Sequence, residues 1–132
     1  MMSKEFKYVT KIYYEDTDAG GVVYYANYLK FLERARSEAI YSLGLSNKEI
    51  LEKEGVIIIV KTCNIEYKKP AKFEDEIEII SNIKEVKNSS FKMRQVIKKK
   101  FDIISEADVV LVTVNKKGKP VRIPSILKKL ID

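Results

Sequence analysis

Asp16 and Asp18 stand two residues apart in the run Tyr13-Tyr14-Glu15-Asp16-Thr17-Asp18-Ala19-Gly20-Gly21-Val22-Val23-Tyr24-Tyr25-Ala26-Asn27-Tyr28. A carboxylate can take a proton from water or attack an acyl carbon directly. The paired glycines after it let the backbone turn sharply without steric cost. From Tyr28 onward the apolar residues Tyr28, Phe31, Leu32, Ala35, Ala39 and Leu43 fall on one helical face, with Lys30, Glu33, Arg34, Ser37 and Glu38 opposite. The acids therefore precede a helix N-terminus, where unpaired N–H groups and the positive end of the helix dipole gather. Donors of that kind hold a carbonyl oxygen and make its carbon electrophilic, so the pairing points to acyl transfer or hydrolysis.

Composition narrows the chemistry further. The chain has no histidine, which removes Ser-His-Asp and Cys-His nucleophile systems and histidine-based metal sites together. Carboxylates, hydroxyls and backbone must then do any catalysis, and no metal or redox cofactor is expected. The single cysteine, Cys63, lies at strand spacing from Ile65 and Tyr67 and is expected to be a small buried side chain. A net charge of +6 could signal nucleic acid, but the lysines are scattered along the chain and fit a solvated surface or recruitment of an anionic ligand. No apolar run suits a membrane span and the first residues lack the apolar core of a signal peptide, so a cytoplasmic protein is expected.

At 132 residues the chain reads as one domain spanning 1–132, small enough that a second subunit would help to bury a large sheet. Alternation predicts a first strand over Glu5–Tyr14, with Phe6, Tyr8, Ile12 and Tyr14 on one side. The long helix should end at Gly44, a favourable left-handed cap. Ser46-Asn47-Lys48-Glu49 fits a capping box for a short helix that stops at Gly55. Strands are then predicted from Val56 to Lys68, Glu76 to Ile83, Ser90 to Ile103 and Ala107 to Val114, the last in a central position. Pro124 suits the first position of a closing helix, Ser125–Ile131. Consecutive strands with short connections pair antiparallel, and a one-faced helix needs a sheet to cover it. The expected architecture is α+β, a five-stranded antiparallel sheet wrapped around one long helix.

The run Tyr14-Glu15-Asp16-Thr17-Asp18-Ala19-Gly20-Gly21-Val22-Val23-Tyr24, followed by Ala26-Asn27-Tyr28, Phe31 and Glu33-Arg34-Ala35-Arg36, resembles the hot-dog-fold acyl-CoA thioesterases of the 4-hydroxybenzoyl-CoA thioesterase type, most closely their Tol-Pal-associated bacterial branch. Tyr67-Lys68-Lys69-Pro70-Ala71-Lys72-Phe73-Glu74-Asp75 and Val121-Arg122-Ile123-Pro124 continue the similarity over nearly the whole chain. The resemblance implies a hot-dog fold, hydrolysis of an acyl-CoA thioester, and active sites between the subunits of a homodimer that can pair into a homotetramer. It makes Asp18 the catalytic carboxylate, as general base or as nucleophile forming a mixed anhydride, with Asp16 in support. It assigns the Tyr25 backbone N–H to the thioester oxygen. Asn27 is a candidate to orient a water or cap the helix, and Tyr24 and Tyr28 to line an acyl pocket. Thr62, Lys87 and Ser90 are the candidates for coenzyme A, although the family carries a more basic cluster than Lys87-Asn88-Ser89-Ser90 supplies. Many members of the Tol-Pal-associated branch have histidine where this chain has Tyr25, which opens the substrate class; short aliphatic acyl groups are the expectation from the branch. Arg34 and Glu38 have the spacing of a helix-surface ion pair. The rival readings are a non-catalytic acyl-CoA-binding module and a scaffold at the cell envelope, and neither needs the acid at position 18.

Overall fold

The computed structural model describes residues 4–131. In chain order these form β1 (Glu5–Lys11), a 3-10 turn (Tyr14–Asp16), α1 (Tyr25–Ser42), α2 (Asn47–Glu54), β2 (Ile57–Tyr67), β3 (Glu76–Val86), β4 (Ser90–Lys99) and β5 (Asp102–Val114), then a 3-10 turn (Ser125–Leu127) that runs into α3 (Lys128–Ile131). The five strands make one antiparallel sheet in the order β1-β3-β4-β5-β2. This is the expected hot-dog arrangement, with α1 lying over β1 and β3.

Period explains the layers. Along β5, Ala107, Val109 and Leu111 are buried while Glu106 and Asp108 face outward, as alternation requires. Along α1 the buried set is Tyr28, Phe31, Leu32, Ala35, Ala39 and Ile40. These join Ile79, Met93, Ile97 and Val109 in one core cluster. Removing side chains the size of Phe31 and Leu32 from water contributes about 1.5–3 kcal/mol each.

Local signals stop the helices where they were expected. Gly44, at φ 79°, donates its N–H to Tyr41 O while Leu45 N–H reaches Ile40 O, the paired bonds of a Schellman motif. Ser46 caps α2 by accepting the Glu49 N–H at 3.0 Å. The Glu49 carboxylate meets the Ser46 hydroxyl and Lys53 instead of the Ser46 backbone N–H, so only half of the expected box forms. Gly55 closes α2 in the left-handed region at φ 67°.

Four expectations are corrected. The first strand stops at Lys11, and Tyr14 lies outside it, 76% exposed, with its ring stacked on Phe73 at 4.0 Å. The predicted fourth strand is split: β4 ends at Lys99 and β5 begins at Asp102, joined by Lys100 at φ 53° and the exposed Phe101. No Gly or Pro marks that turn. Cys63 is exposed instead of buried, because β2 is an edge strand and α1 packs chiefly over β1 and β3. Arg34 and Glu38 do not approach within ion-pairing distance, so each is solvated separately.

Candidate active site

Two loops at one end of the sheet build the site. The first, residues 12–24, leaves β1 and doubles back before α1. Thr17 bridges Val23, Asp18 N–H donates to Val22 O at 2.9 Å, and Gly21, at φ 80°, donates to Asp18 O at 3.0 Å. The second, residues 68–75, links β2 to β3 and is laced to the first by Val23 N–H to Ala71 O, Phe73 N–H to Gly21 O and Glu74 N–H to Ile12 O. A left-handed Glu74, at φ 66°, completes that turn.

Asp18 lies exposed at the tip of the first loop, and its Oδ1 accepts the Gly20 N–H at 2.8 Å. This Asx turn aims the carboxylate while Oδ2 has no protein partner among the described residues. A side chain at Gly20 would bring its Cβ to 3.3 Å from Asp18 Oδ1, so glycine keeps the carboxylate uncrowded. Asp16 is buried and works on the loop: Oδ2 accepts Tyr13 N–H at 2.9 Å, and its carbonyl accepts Tyr24 N–H and Asn27 Nδ2. Asn27 is thus the third residue of the helix and a tether, not its cap. Tyr24 holds the cap position without a side-chain bond.

The Tyr25 and Ala26 N–H groups, the first two of α1, have no acceptor among the described residues. They form the donor end of an eighteen-residue helix, where the dipole also favours negative charge. Four tyrosines surround this turn. Tyr24 stacks on Tyr25 at 5.7 Å between centroids, and Tyr67 of β2 lies 5.6 Å from Tyr25 and 5.3 Å from Tyr28. Tyr28 is buried, and its Oη accepts the Ala71 N–H at 3.0 Å, while Tyr67 Oη donates to Tyr25 O at 3.3 Å. Burial pushes both the Tyr28 and the Tyr67 phenols up, so both stay protonated around neutrality. Tyr28 therefore belongs to the core beneath the donor turn, whereas Tyr24 and Tyr25 remain more than half exposed.

Asp75 pins the second loop. It accepts the Lys72 N–H at 2.9 Å and pairs with Lys99 at 2.9 Å. Burial pushes its carboxyl up, but the hydrogen bonds from Lys99 and the Lys72 N–H, with both lysine charges, outweigh this and hold it below the usual carboxylate range.

The remaining candidates are not gathered here within one chain. Lys87 and Ser90 close the β3–β4 hairpin, where Lys87 N–H donates to Ser90 O at 2.7 Å. Eleven residues of β3 separate that hairpin from Asp75, about 35 Å at the rise of an antiparallel strand. Thr62 follows a bulge in β2 and is exposed on the free edge, nearer the hairpin end. The hairpin also touches the end of β5, through Thr113 N–H to Ser89 O, and the loop after it, through Ile123 N–H to Asn88 O. Lys116, Lys117, Lys119 and Arg122 of that loop therefore lie at the same end of the sheet as Lys87. Sequence reading gave Tyr67 and Asp75 no chemical role; the only signal was their place in the aromatic, Pro-Ala and Asp turn.

The profile of the thioesterase-like superfamily matches residues 13–131, and the chain belongs to that superfamily. It is 37% identical over 129 residues to the acyl-CoA thioesterase YbgC of Haemophilus influenzae, covering 97% of this chain and 95% of that protein. It is 36% identical over 121 residues to the acyl-CoA thioester hydrolase YbgC of Escherichia coli O157:H7, covering 90% of each. Among solved structures, a probable thioesterase from Bartonella henselae superposes with a TM-score of 0.88 at 31% identity, covering 92% of this chain and 100% of that one. The 4-hydroxybenzoyl-CoA thioesterase of Pseudomonas sp. strain CBS-3, at 23% identity and a TM-score of 0.86 over 96% of this chain and 98% of that one, shares the fold.

Proposed function

We propose that this chain hydrolyses acyl-CoA thioesters to a free acid and coenzyme A. The observation that carries the reading is the junction of a carboxylate fixed by an Asx turn with a helix N-terminus whose first N–H groups lack acceptors among the described residues. The similarity to acyl-CoA thioesterases over nearly the whole chain supports it.

In this reading the thioester oxygen accepts hydrogen bonds from the first turn of α1 at Tyr25, which stabilises the negative charge that develops as the carbonyl carbon becomes tetrahedral. Asp18 acts in one of two ways. As a base it takes a proton from water while the water oxygen bonds to the carbonyl carbon, and the intermediate collapses by breaking the C–S bond and expelling the thiolate. As a nucleophile its free oxygen forms the bond, the thiolate leaves, and water then cleaves the mixed anhydride. The thiolate takes up the proton and coenzyme A departs. Coenzyme A is part of the substrate, and neither route needs a further cofactor.

The single chain leaves Asp18, Tyr24 and Tyr25 open to solvent, and a homodimer would wall them in. β2 is an eleven-residue edge strand with Ile57, Ile59, Val60 and Tyr67 all exposed, the kind of edge that pairs with a copy of itself. Antiparallel pairing of two β2 strands sets the Tyr67 end of one beside the Ile57 end of the other. The Ile57 end pairs with Val114, next to the Lys116–Arg122 loop and the Lys87 hairpin. Each subunit would then bring Thr62, Lys87 and Ser90, with those extra cations, toward its partner's Asp18, where the coenzyme A phosphates need them. A tetramer can be built from two such dimers. Short acyl groups and an envelope association are the further expectations of the branch, and a cytoplasmic location is the expectation from the sequence.

The test is thiol release from short, long and aromatic acyl-CoAs by the purified protein beside Asp18→Asn. Hydrolysis of one class, lost in the variant with the oligomer intact, is the expected result. No hydrolysis of any class, or a variant as active as the parent, would leave Asp18 a turn residue and favour a binding module.

A further inference from the structure

Arg36 and Arg94 are both partly buried, and the fold treats them differently. Arg94, on the outer face of the sheet, has two carboxylates, Glu106 and Asp108, the latter at 3.3 Å. Arg36, on the inner face, makes no ion pair among the described residues. Its guanidinium donates to Gln95 Oε1 at 3.0 Å. Gln95 is itself fully buried and locked, with Nε2 donating to Leu32 O and Ser81 Oγ, both at 3.0 Å. The arginine is thus held in place by a neutral group, and burial lowers its proton affinity, a cost that Cys63 and the Glu33 carboxylate offset only in part. Glu33, one turn earlier, shares the rim but is exposed and does not come within ion-pairing distance, and the Cys63 thiol faces it from β2.

This guanidinium stands on the wall of a cleft of ≈ 210 Å³ between α1 and the sheet. The floor is apolar, formed by Ile40, Ile58, Phe91, Met93, Leu111 and Leu130, and Ser37 and Asn47 edge the mouth. An apolar cavity of about 150 Å³ is enough to take benzene. Arg36 lies eleven helical positions beyond Tyr25, about 16 Å along the axis, so the cleft is distinct from the donor turn of the same chain.

We propose that this cleft is a binding site for a small amphipathic carboxylic acid, its chain or ring on the apolar floor and its carboxylate on Arg36. An apolar body with one negative end complements both features of the cleft: the apolar floor, and a guanidinium bonded to the neutral Gln95 amide with no carboxylate in direct contact among the described residues. Free acids are also what thioester hydrolysis releases, so occupancy by product is the natural use. That clause rests on the proposed activity, whereas the site does not.

Binding is read directly, which separates failure here from failure of the thioesterase reading. The purified full chain is titrated with hexanoate, octanoate and benzoate by calorimetry and amide NMR, beside hexanol and hexylamine, which offer similar bodies without the negative charge. We expect saturable binding of the acids, with shifts centred on Glu33–Ile40 and the facing residues of β2 and β4. Hexanol should bind at least about tenfold more weakly, the worth of one charge-assisted hydrogen bond, and hexylamine not at all. Arg36→Gln should erase the preference for acid over alcohol. Because that change also disturbs Gln95, Ser37→Phe, which plugs the mouth and leaves Arg36 in place, serves as the second variant and should abolish binding of both. Equal binding of acid and alcohol, shifts centred elsewhere, or no saturation because a second copy of the chain fills the cleft, would each overturn the assignment.

Discussion

At the scale of single residues, the donor turn can be tested without touching a catalytic side chain. Proline is favoured at the first position of a helix, and Tyr24 before it already has the extended backbone that a following proline demands, at φ −67° and ψ 133°. Tyr25→Pro therefore keeps the helix and deletes one N–H, while Tyr25→Ala keeps the N–H and deletes the ring. If the backbone holds the thioester oxygen, the proline variant should lose about 10²–10³ in kcat, the scale of one oxyanion donor, and the alanine variant should lose much less. Equal losses in steady-state kinetics would move the role to the phenol. Asp75 offers a second residue-scale outcome. Its carboxyl is held below the usual range, so its stabilising contribution is present above that range and is lost as pH falls through the folded-state value. Asp75→Ala should cost about 1–2 kcal/mol in urea unfolding at neutral pH, the worth of a partly solvated charge-assisted contact, and the gap to the parent should close in acid.

At the scale of elements, the helices are held from both ends by different means. α2 depends on local chemistry: the Ser46 hydroxyl accepts the Glu49 N–H, and Ser46→Ala should cost about 0.5–2 kcal/mol with no change in catalysis. α1 depends on tertiary contacts instead, since its cap residue Tyr24 contributes no side-chain bond. Asn27 and Tyr24 both bond to the Asp16 carbonyl, and Tyr28 reaches across to Ala71. That tether ties the carboxylate loop to the donor turn, so the two halves of the proposed machinery are held in one frame.

At the scale of the molecule, the proposed dimer makes a prediction that a single-chain site does not. Asp18→Asn removes the carboxylate, and a Lys87→Glu, Arg122→Glu double variant removes the cations at the far end of the sheet. Each should be impaired alone. If the cations serve the partner's Asp18, unfolding and refolding the two variants together should restore activity, with about a quarter of all sites intact after random pairing. Thiol release from the refolded mixture no greater than the sum of its parts would place both groups in one chain's site, or leave the cations outside it.

The local order of the chain was legible in its sequence because short-range physics writes it there. Period-two and period-3.6 patterns gave the five strands and α1, while Gly44, Ser46 and Gly55 marked helix ends through backbone conformations and bonds that need only neighbouring residues. The Asp18-Ala19-Gly20-Gly21 turn before a helix was readable for the same reason. Where a feature depends on what lies across space, the pattern was silent or misleading. Cys63 has the spacing of a buried strand residue, but burial requires a covering layer, and only the sheet order shows that β2 is an edge. Ser90 to Ile103 reads as one strand because the two-residue Lys100-Phe101 turn carries no glycine; the reversal shows only in the pairing of β4 along β5, from Lys99 with Asp102 to Ser90 with Val112. Asn27 reads as a cap until the fold brings the Asp16 carbonyl to it. Sequence alone thus determined the elements and the carboxylate-before-helix motif, whose causes act within a few residues. The tertiary structure decided which face is covered, which arginine is held by a neutral amide and which ends of the sheet lie apart, because these depend on distances between residues far apart in the chain.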